Sequence, residues 1–175
     1  FGLHIRQMSL TLERWRWLPK AFASPPILIN VPAFRLHFFT AGTDQENTVI
    51  SMNVVVGEAY THDTPVFAEE MSYVVFRPFW EVPTSIMRTE IRPKALQDST
   101  YLARNHFELA AGGASVPATP DNVAAIGGTV RVRQQPGPWN SLGNVKFMMP
   151  NNLNIYLHDT PARNLFEQAR RDFSH

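Results

Sequence analysis

The residues of this sequence best placed to do chemistry lie near its end. They are His158, in Tyr156-Leu157-His158-Asp159-Thr160-Pro161, and the closing pair Ser174-His175. Fifteen residues, 159 to 173, separate His158 from Ser174. A histidine held at the end of a strand, before a helix start, is a common arrangement for a general base with one face exposed. The pattern of a histidine, a helix-length spacer and Ser-His suggests a thiol enzyme, yet the sequence has no cysteine. Ser174 paired with His158 would make a serine nucleophile geometrically possible, whereas the neighbours Ser174 and His175 rarely point at each other. A histidine that steadies a turn through Asp159 is the structural alternative. Metal ligation is weakly indicated, since no ligand spacing such as HExxH occurs.

The other histidines read as structural. His4 lies in an amphipathic opening segment, His37 on a strand and His106 in a helix. His62-Asp63-Thr64-Pro65 repeats the tetrapeptide at His158, but without a following helix and histidine.

Several elements must position these residues. Val145 to Met149 and Asn154 to Leu157 read as strands separated by Pro150-Asn151-Asn152. Thr160 followed by Pro161 marks a helix start, with Ala162, Leu165, Phe166, Ala169 and Phe173 on one face. Such a helix, about 20 Å long, would return Ser174-His175 to His158.

Further upstream, Ile5, Met8, Leu12 and Trp15 predict a helix packed on the domain and ending at Leu18-Pro19. Two β-rich runs, Ile27 to Val31 and Phe34 to Phe39, are broken by Pro32-Ala33, and Ala41-Gly42-Thr43-Asp44 is a turn. Thr48 to Val56 alternates as a half-buried strand, and Met71 to Phe76 is another. Thr84-Ser85 is a cap for a short helix from Ile86. Ser99-Thr100 caps a predicted helix through Tyr101, His106 and Leu109 that stops at Gly112-Gly113. Residues 112–128, rich in Ala, Gly and Pro, read as a mobile loop. A helical, loop-rich insertion between β segments has the usual form of a lid.

Composition narrows the function classes. A chain of 175 residues, 44% hydrophobic, can fill the core of one domain, with or without an inserted subdomain. A net charge of +1 gives no electrostatic case for nucleic acid or an anionic membrane. No run approaches the roughly 20 apolar residues of a membrane span, and the first residues lack a signal pattern.

Taken together, several segments resemble the L,D-transpeptidases of the YkuD-domain type, in the larger Gram-negative subgroup with a capping subdomain. The resemblance rests on Leu12-Glu13-Arg14-Trp15-Arg16-Trp17-Leu18-Pro19, Ile27 to Leu36, Val54-Val55-Val56-Gly57 with Thr64-Pro65-Val66-Phe67, and Phe76 to Ile86. It continues in Arg133 to Pro138, Asn140-Ser141-Leu142-Gly143 and Val145-Lys146-Phe147. The family signature is a histidine, a spacer of this length, then Ser or Thr followed by His-Gly-Cys. His158 and Ser174-His175 fit it, and the glycine and cysteine would fall one and two places after His175. Arg77 and Gln135 depart from the family pattern, which has asparagine and proline there.

The resemblance implies a mainly β domain with helices (α+β), spanning 1–175, with 87–131 inserted as the capping subdomain. It implies a cysteine acyl transfer on peptidoglycan stem peptides, with carbapenem β-lactams as inhibitors, no cofactor, no nucleic acid partner and a periplasmic location. His158 would be the base and His175 would shape the oxyanion side. Tyr156 would line the substrate groove, and Asp159 or a nearby carbonyl would fix the His158 tautomer. Asp159 and Ser174 would contribute to substrate binding. Without the cysteine the 175 residues by themselves are expected to be inactive. The alternative is a noncatalytic domain that binds peptidoglycan or a partner.

Overall fold

Sheets organise each of the two units into which the chain divides, residues 1–68 with 163–175 and residues 69–162. The computed structural model describes residues 2–17, 24–39, 49–59 and 63–174.

The first unit opens with helix α1, Gly2–Trp17. The predicted helix is present, but the expectation that it packs on the domain is corrected: none of its residues is buried. Leu3, Leu10 and Trp17 lie off the Ile5-Met8-Leu12-Trp15 stripe and are exposed like it, so no single apolar face is hidden. Side chains reinforce the helix locally. Ser9 and Thr11 donate to the carbonyls of Ile5 and Gln7, and Glu13 pairs with Arg16. Its predicted stop at Leu18-Pro19 lies outside the described residues, as does the Ala41–Asp44 turn.

Strands β1, Ile27–Asn30, and β2, Arg35–Phe39, form the hairpin the sequence indicates, with Asn30 opposite Arg35. The turn is closed by Ala33 N–H on the Asn30 carbonyl, and Phe34 takes a left-handed φ of 53°. β3, Val49–Asn53, adds antiparallel to β2. The strand expected from Thr48 to Val56 stops at Asn53, where its partner β2 gives way to the left-handed Phe34, although the Val54 N–H still bonds the Phe34 carbonyl. A separate two-residue strand, β4 (Val56–Gly57), comes next. Ile50 and Met52 are about half exposed, so the expected half-buried face is wetter than the alternation suggests.

The second unit begins at β5, Tyr73–Phe76, followed by β6, Trp80–Glu81. A continuous helical run then comprises α2 (Thr84–Ile86), a π turn (Met87–Ile91) and α3 (Arg92–Gln97). Pro83, rather than Thr84 or Ser85, sits at the N-cap, and no side chain caps it. The π turn comes just before Pro93, which has no N–H for the helical ladder, and Arg92 N–H reaches five residues back to the Met87 carbonyl.

α4 is Tyr101–Arg104, β7 Phe107–Ala111, β8 Ala114–Val116, α5 Pro120–Ala124 and β9 Arg131–Gln134. The helix expected through Leu109 thus ends at Arg104. His106 turns left-handed (φ 55°), its ring stacked on Trp139 at 3.6 Å, and Phe107 to Ala110 pair with β9 instead. Sheet pairing with Leu109 buried overrides the helical spacing. The loop expected over 112–128 likewise contains β8 and α5. Thr119 caps α5 by accepting the Asn122 N–H, with Pro120 at the first helical position.

Val82, Met87, Ile91, Leu102, Leu109 and Val132 belong to one buried cluster beneath the sheet of order β6-β9-β7-β8 and these helices. Each large aliphatic side chain so buried contributes about 1.5–3 kcal/mol. β10, Val145–Met148, and β11, Leu157–His158, join β5 in a second sheet of order β11-β10-β5.

The chain then returns to the first unit. The long helix expected from Pro161 to Phe173 is replaced by a 3₁₀ turn, Arg163–Glu167, and strand β12, Asp172–Ser174, parallel to β4. Long-range partners outweigh helical spacing here. The Arg171 carbonyl accepts Val56 N–H, the Phe166 carbonyl accepts Asn53 Nδ2, and the buried Arg171 guanidinium reaches the Phe34 carbonyl. No helix among the described residues is long and apolar enough to cross a membrane.

Candidate active site

The chemistry of the second unit gathers on one face of the β11-β10-β5 sheet. Antiparallel register sets Lys146 directly opposite His158 on one side and Val75 on the other. Residues directly opposite share a face, so Val75, Lys146 and His158 form a row across it. Tyr156 lies one residue before β11 and joins them. Its ring centroid is 5.8 Å from that of His158, and the Lys146 Nζ sits 3.7 Å from the Tyr156 centroid.

Local sequence fixes this approach. The side chain of Asn151 closes the loop ahead of Tyr156, donating to the carbonyls of Met149 (2.6 Å) and Ile155 (2.8 Å) and accepting the N–H groups of Leu153 and Ile155. Asn154, at φ 56°, makes the reversal inside that loop.

Asp159 immobilises the far side of His158 with three separate groups. Its N–H bonds the Val145 carbonyl at 2.9 Å, extending the strand pairing. Its carboxylate accepts the Asn144 N–H at 2.9 Å. Its main-chain carbonyl lies 2.5 Å from His158 Nδ1. A carbonyl only accepts, so Nδ1 carries the hydrogen and the neutral ring presents the Nε2 lone pair. Of the two means of fixing the tautomer that the sequence leaves open, the carbonyl makes the contact.

Gly143 is what permits the Asp159 contact. It adopts φ 61°, and a Cβ there would collide with the Asp159 carboxylate. Gly143→Ala is therefore expected to cost about 1–3 kcal/mol, from the left-handed backbone and the displaced carboxylate. Thermal melts of Gly143→Ala, Asp159→Ala and the double variant check this. The double variant should lose less than the sum of the singles, because the two shortest clashes, with Asp159 Oδ2 and Cγ, disappear and only the one with its Cβ remains.

Electrostatics make His158 a weakened proton acceptor in the resting state. Part of its ring is solvent-accessible, but the surrounding protein desolvates it and holds its pKa below the ordinary imidazole value. The bond to the Asp159 carbonyl works against this, the Lys146 ammonium works with it, and the Asp159 carboxylate again opposes it. At neutral pH the imidazole is thus neutral and able to take a proton. Burial also lowers the pKa of Lys146, partly offset by Glu81, and raises that of Tyr156.

Of the sequence-predicted site residues, His158, Tyr156 and Asp159 come together. Ser174 lies in β12 of the first unit, where its carbonyl accepts the Glu58 N–H at 2.9 Å. His175 lies outside the described residues. Lys146, Gly143 and Asn151 are site residues that motif spacing does not reveal. Period-2 pairing of the two predicted strands is the signal that could have found Lys146. Among the described residues no group of three His, Cys, Asp or Glu side chains is arranged to hold a metal.

Residues 25–175 match the YkuD family, described as the L,D-transpeptidase catalytic domain. Over 172 residues, 97% of the chain, the sequence is 30% identical to a Haemophilus influenzae protein named "Putative L,D-transpeptidase". The chain spans about a third (34%) of that relative's length. The chain belongs to the YkuD family of L,D-transpeptidase catalytic domains.

Proposed function

We propose that this domain catalyses acyl transfer between peptidoglycan stem peptides, with His158 as the general base. The observation that carries the reading is the His158 Nδ1 contact with the Asp159 carbonyl, which leaves Nε2 free on an accessible sheet face. His158 Nε2 would take the proton of a cysteine thiol as sulfur attacks the carbonyl of the third stem residue. The carbon–nitrogen bond to the terminal D-alanine breaks, and the imidazolium returns the proton to the departing amine. An amine from a second stem then attacks the thioester, the thiol is restored, and two diaminopimelate residues become cross-linked. Tyr156, beside the base, would line the substrate groove, and His175 would shape the oxyanion side. Asp159, whose carboxylate holds the Asn144 N–H, would contribute to the site chiefly through its main chain.

The substrate makes the periplasm the expected location, and residues 87–131 the expected capping subdomain. The buried cluster they share with Val82 and Val132 supports that subdomain reading. The 175 residues contain no cysteine, so this polypeptide by itself forms no thioester. The test is mass spectrometry after incubation with a carbapenem. A polypeptide carrying this domain through the family's Ser-His-Gly-Cys should gain the mass of one acyl adduct, and the 175-residue chain should gain none. A folded, cysteine-containing form that stays unmodified would favour a domain that only binds peptidoglycan or a partner.

A further inference from the structure

The Lys146 ammonium, a cation of the site face beside His158, has no assigned task in the chemistry above. Lys146 is half-buried, and among the described residues its ammonium donates no hydrogen bond and meets no carboxylate at ion-pair distance. Glu81, on β6, acts on it only as a longer-range charge. One side of the ammonium is taken by the face of Tyr156, which attracts a cation but cannot replace the hydrogen bonds of water. An ammonium in this condition is set up to receive an anion.

Its position says which anion. Cβ atoms of directly opposite residues in an antiparallel pair lie about 4.5–5.5 Å apart. Lys146 and His158 are such a pair. In a leaving α-amino acid, the nitrogen that His158 must protonate and the carboxylate carbon are separated by a single carbon. A base serving that nitrogen therefore has the carboxylate within reach of the ammonium one strand over.

We propose that Lys146 is the carboxylate-binding residue of the site, receiving the C-terminal carboxylate of the donor peptide while His158 serves the adjacent scissile bond. The assignment rests on the acyl-transfer reading above and specifies its donor: a peptide ending in a free D-amino acid, not an amide. It also links binding to basicity. The charged groups that act on His158 are Lys146 on β10 and Asp159 on its own segment, with Tyr156 beside it and Glu81, on β6, acting on Lys146 as a longer-range charge. A carboxylate seated on Lys146 cancels the charge that opposes protonation of His158, so a bound donor makes the base stronger. By reciprocity, protonation of His158 tightens the hold on that carboxylate by the same factor.

The test reads the His158 ring by nitrogen NMR in the 175-residue chain labelled at histidine, with His158→Gln identifying the signal. Two probes are compared at millimolar concentration: an N-acetylated dipeptide ending in D-alanine, and the same dipeptide as its C-terminal amide. The carboxylate probe should raise the titration midpoint of His158 in the wild type and in Lys146→Arg, and the amide should not. Lys146→Met should raise the midpoint without any probe and abolish the response. The proposal is overturned if the amide acts like the carboxylate, if Lys146→Met responds like the wild type, or if neither probe moves the wild-type signal. None of these outcomes depends on a cysteine, so failure here is separable from failure of the carbapenem adduct.

Discussion

His158→Gln, made in a polypeptide that carries this domain together with the family's cysteine, is expected to slow acylation by a carbapenem by about two to four orders of magnitude. Glutamine is the informative replacement. Its amide can still donate to the Asp159 carbonyl, so the strand end keeps its partner while the proton acceptor is lost. The measurement is the rate of adduct formation by mass spectrometry, with circular dichroism confirming the fold. A loss of less than tenfold would remove His158 as the base. The wild-type rate should also depend on pH in a definite direction. A base works when neutral, and burial together with Lys146 holds His158 below the ordinary imidazole value of about 6.5. The acid limb of the rate should therefore lie below that pH, with activity falling as pH descends through the lowered value.

Asn140 is expected to be the most damaging single position for stability outside the apolar core. It is fully buried. Its Nδ2 donates to the carbonyls of Pro78 (3.1 Å), Gln134 (3.2 Å) and Gln135 (3.0 Å), and its Oδ1 accepts the Leu142 N–H at 2.8 Å. These bonds tie the loop leading to Gly143 onto β9 and the segment before β6. Asn140→Ala strands those main-chain groups and opens a small cavity, at a cost of about 3–5 kcal/mol. Asn140→Asp keeps the shape and the bond from Leu142 but turns an oxygen toward the carbonyls. It should therefore be at least as harmful as alanine, although it is the smaller change in volume. Urea denaturation of the two variants checks the order. If Asn140→Asp proved the milder substitution, hydrogen-bond donation would not be what holds this loop.

The parts of the fold legible in the sequence are those decided locally. Pro32-Ala33 between two β-branched and aromatic runs marks the first hairpin, whereas the composition of 112–128 reads as loop and hides the helix start at Thr119-Pro120. Where distant partners decide, periodicity misleads. Tyr101 to Leu109 has helical spacing, but His106 turns left-handed against Trp139, and the residues from Phe107 onward pair with β9. Ala162 to Phe173 has a helical stripe, yet Arg171 finds Phe34, 137 residues away in sequence. The site divides in the same way. His158 stands out by its place after a predicted strand and its distance from Ser174-His175, and Tyr156 enters through the family resemblance. Lys146 becomes a neighbour only through strand register, and Gly143 matters only because Asp159 arrives beside it.

The contact that orients the base belongs to the main chain of Asp159 rather than to any side chain. A substitution at 159 leaves that carbonyl in place, so a conventional alanine scan of this domain would pass over the group that selects the working tautomer. Only an edit of the backbone itself, such as an ester in place of the amide after Asp159 to weaken the acceptor, could show what that carbonyl does for the imidazole. For anyone redesigning the domain, a side-chain change at 159 gives up the carboxylate's hold on Asn144 but leaves in place the carbonyl that meets His158.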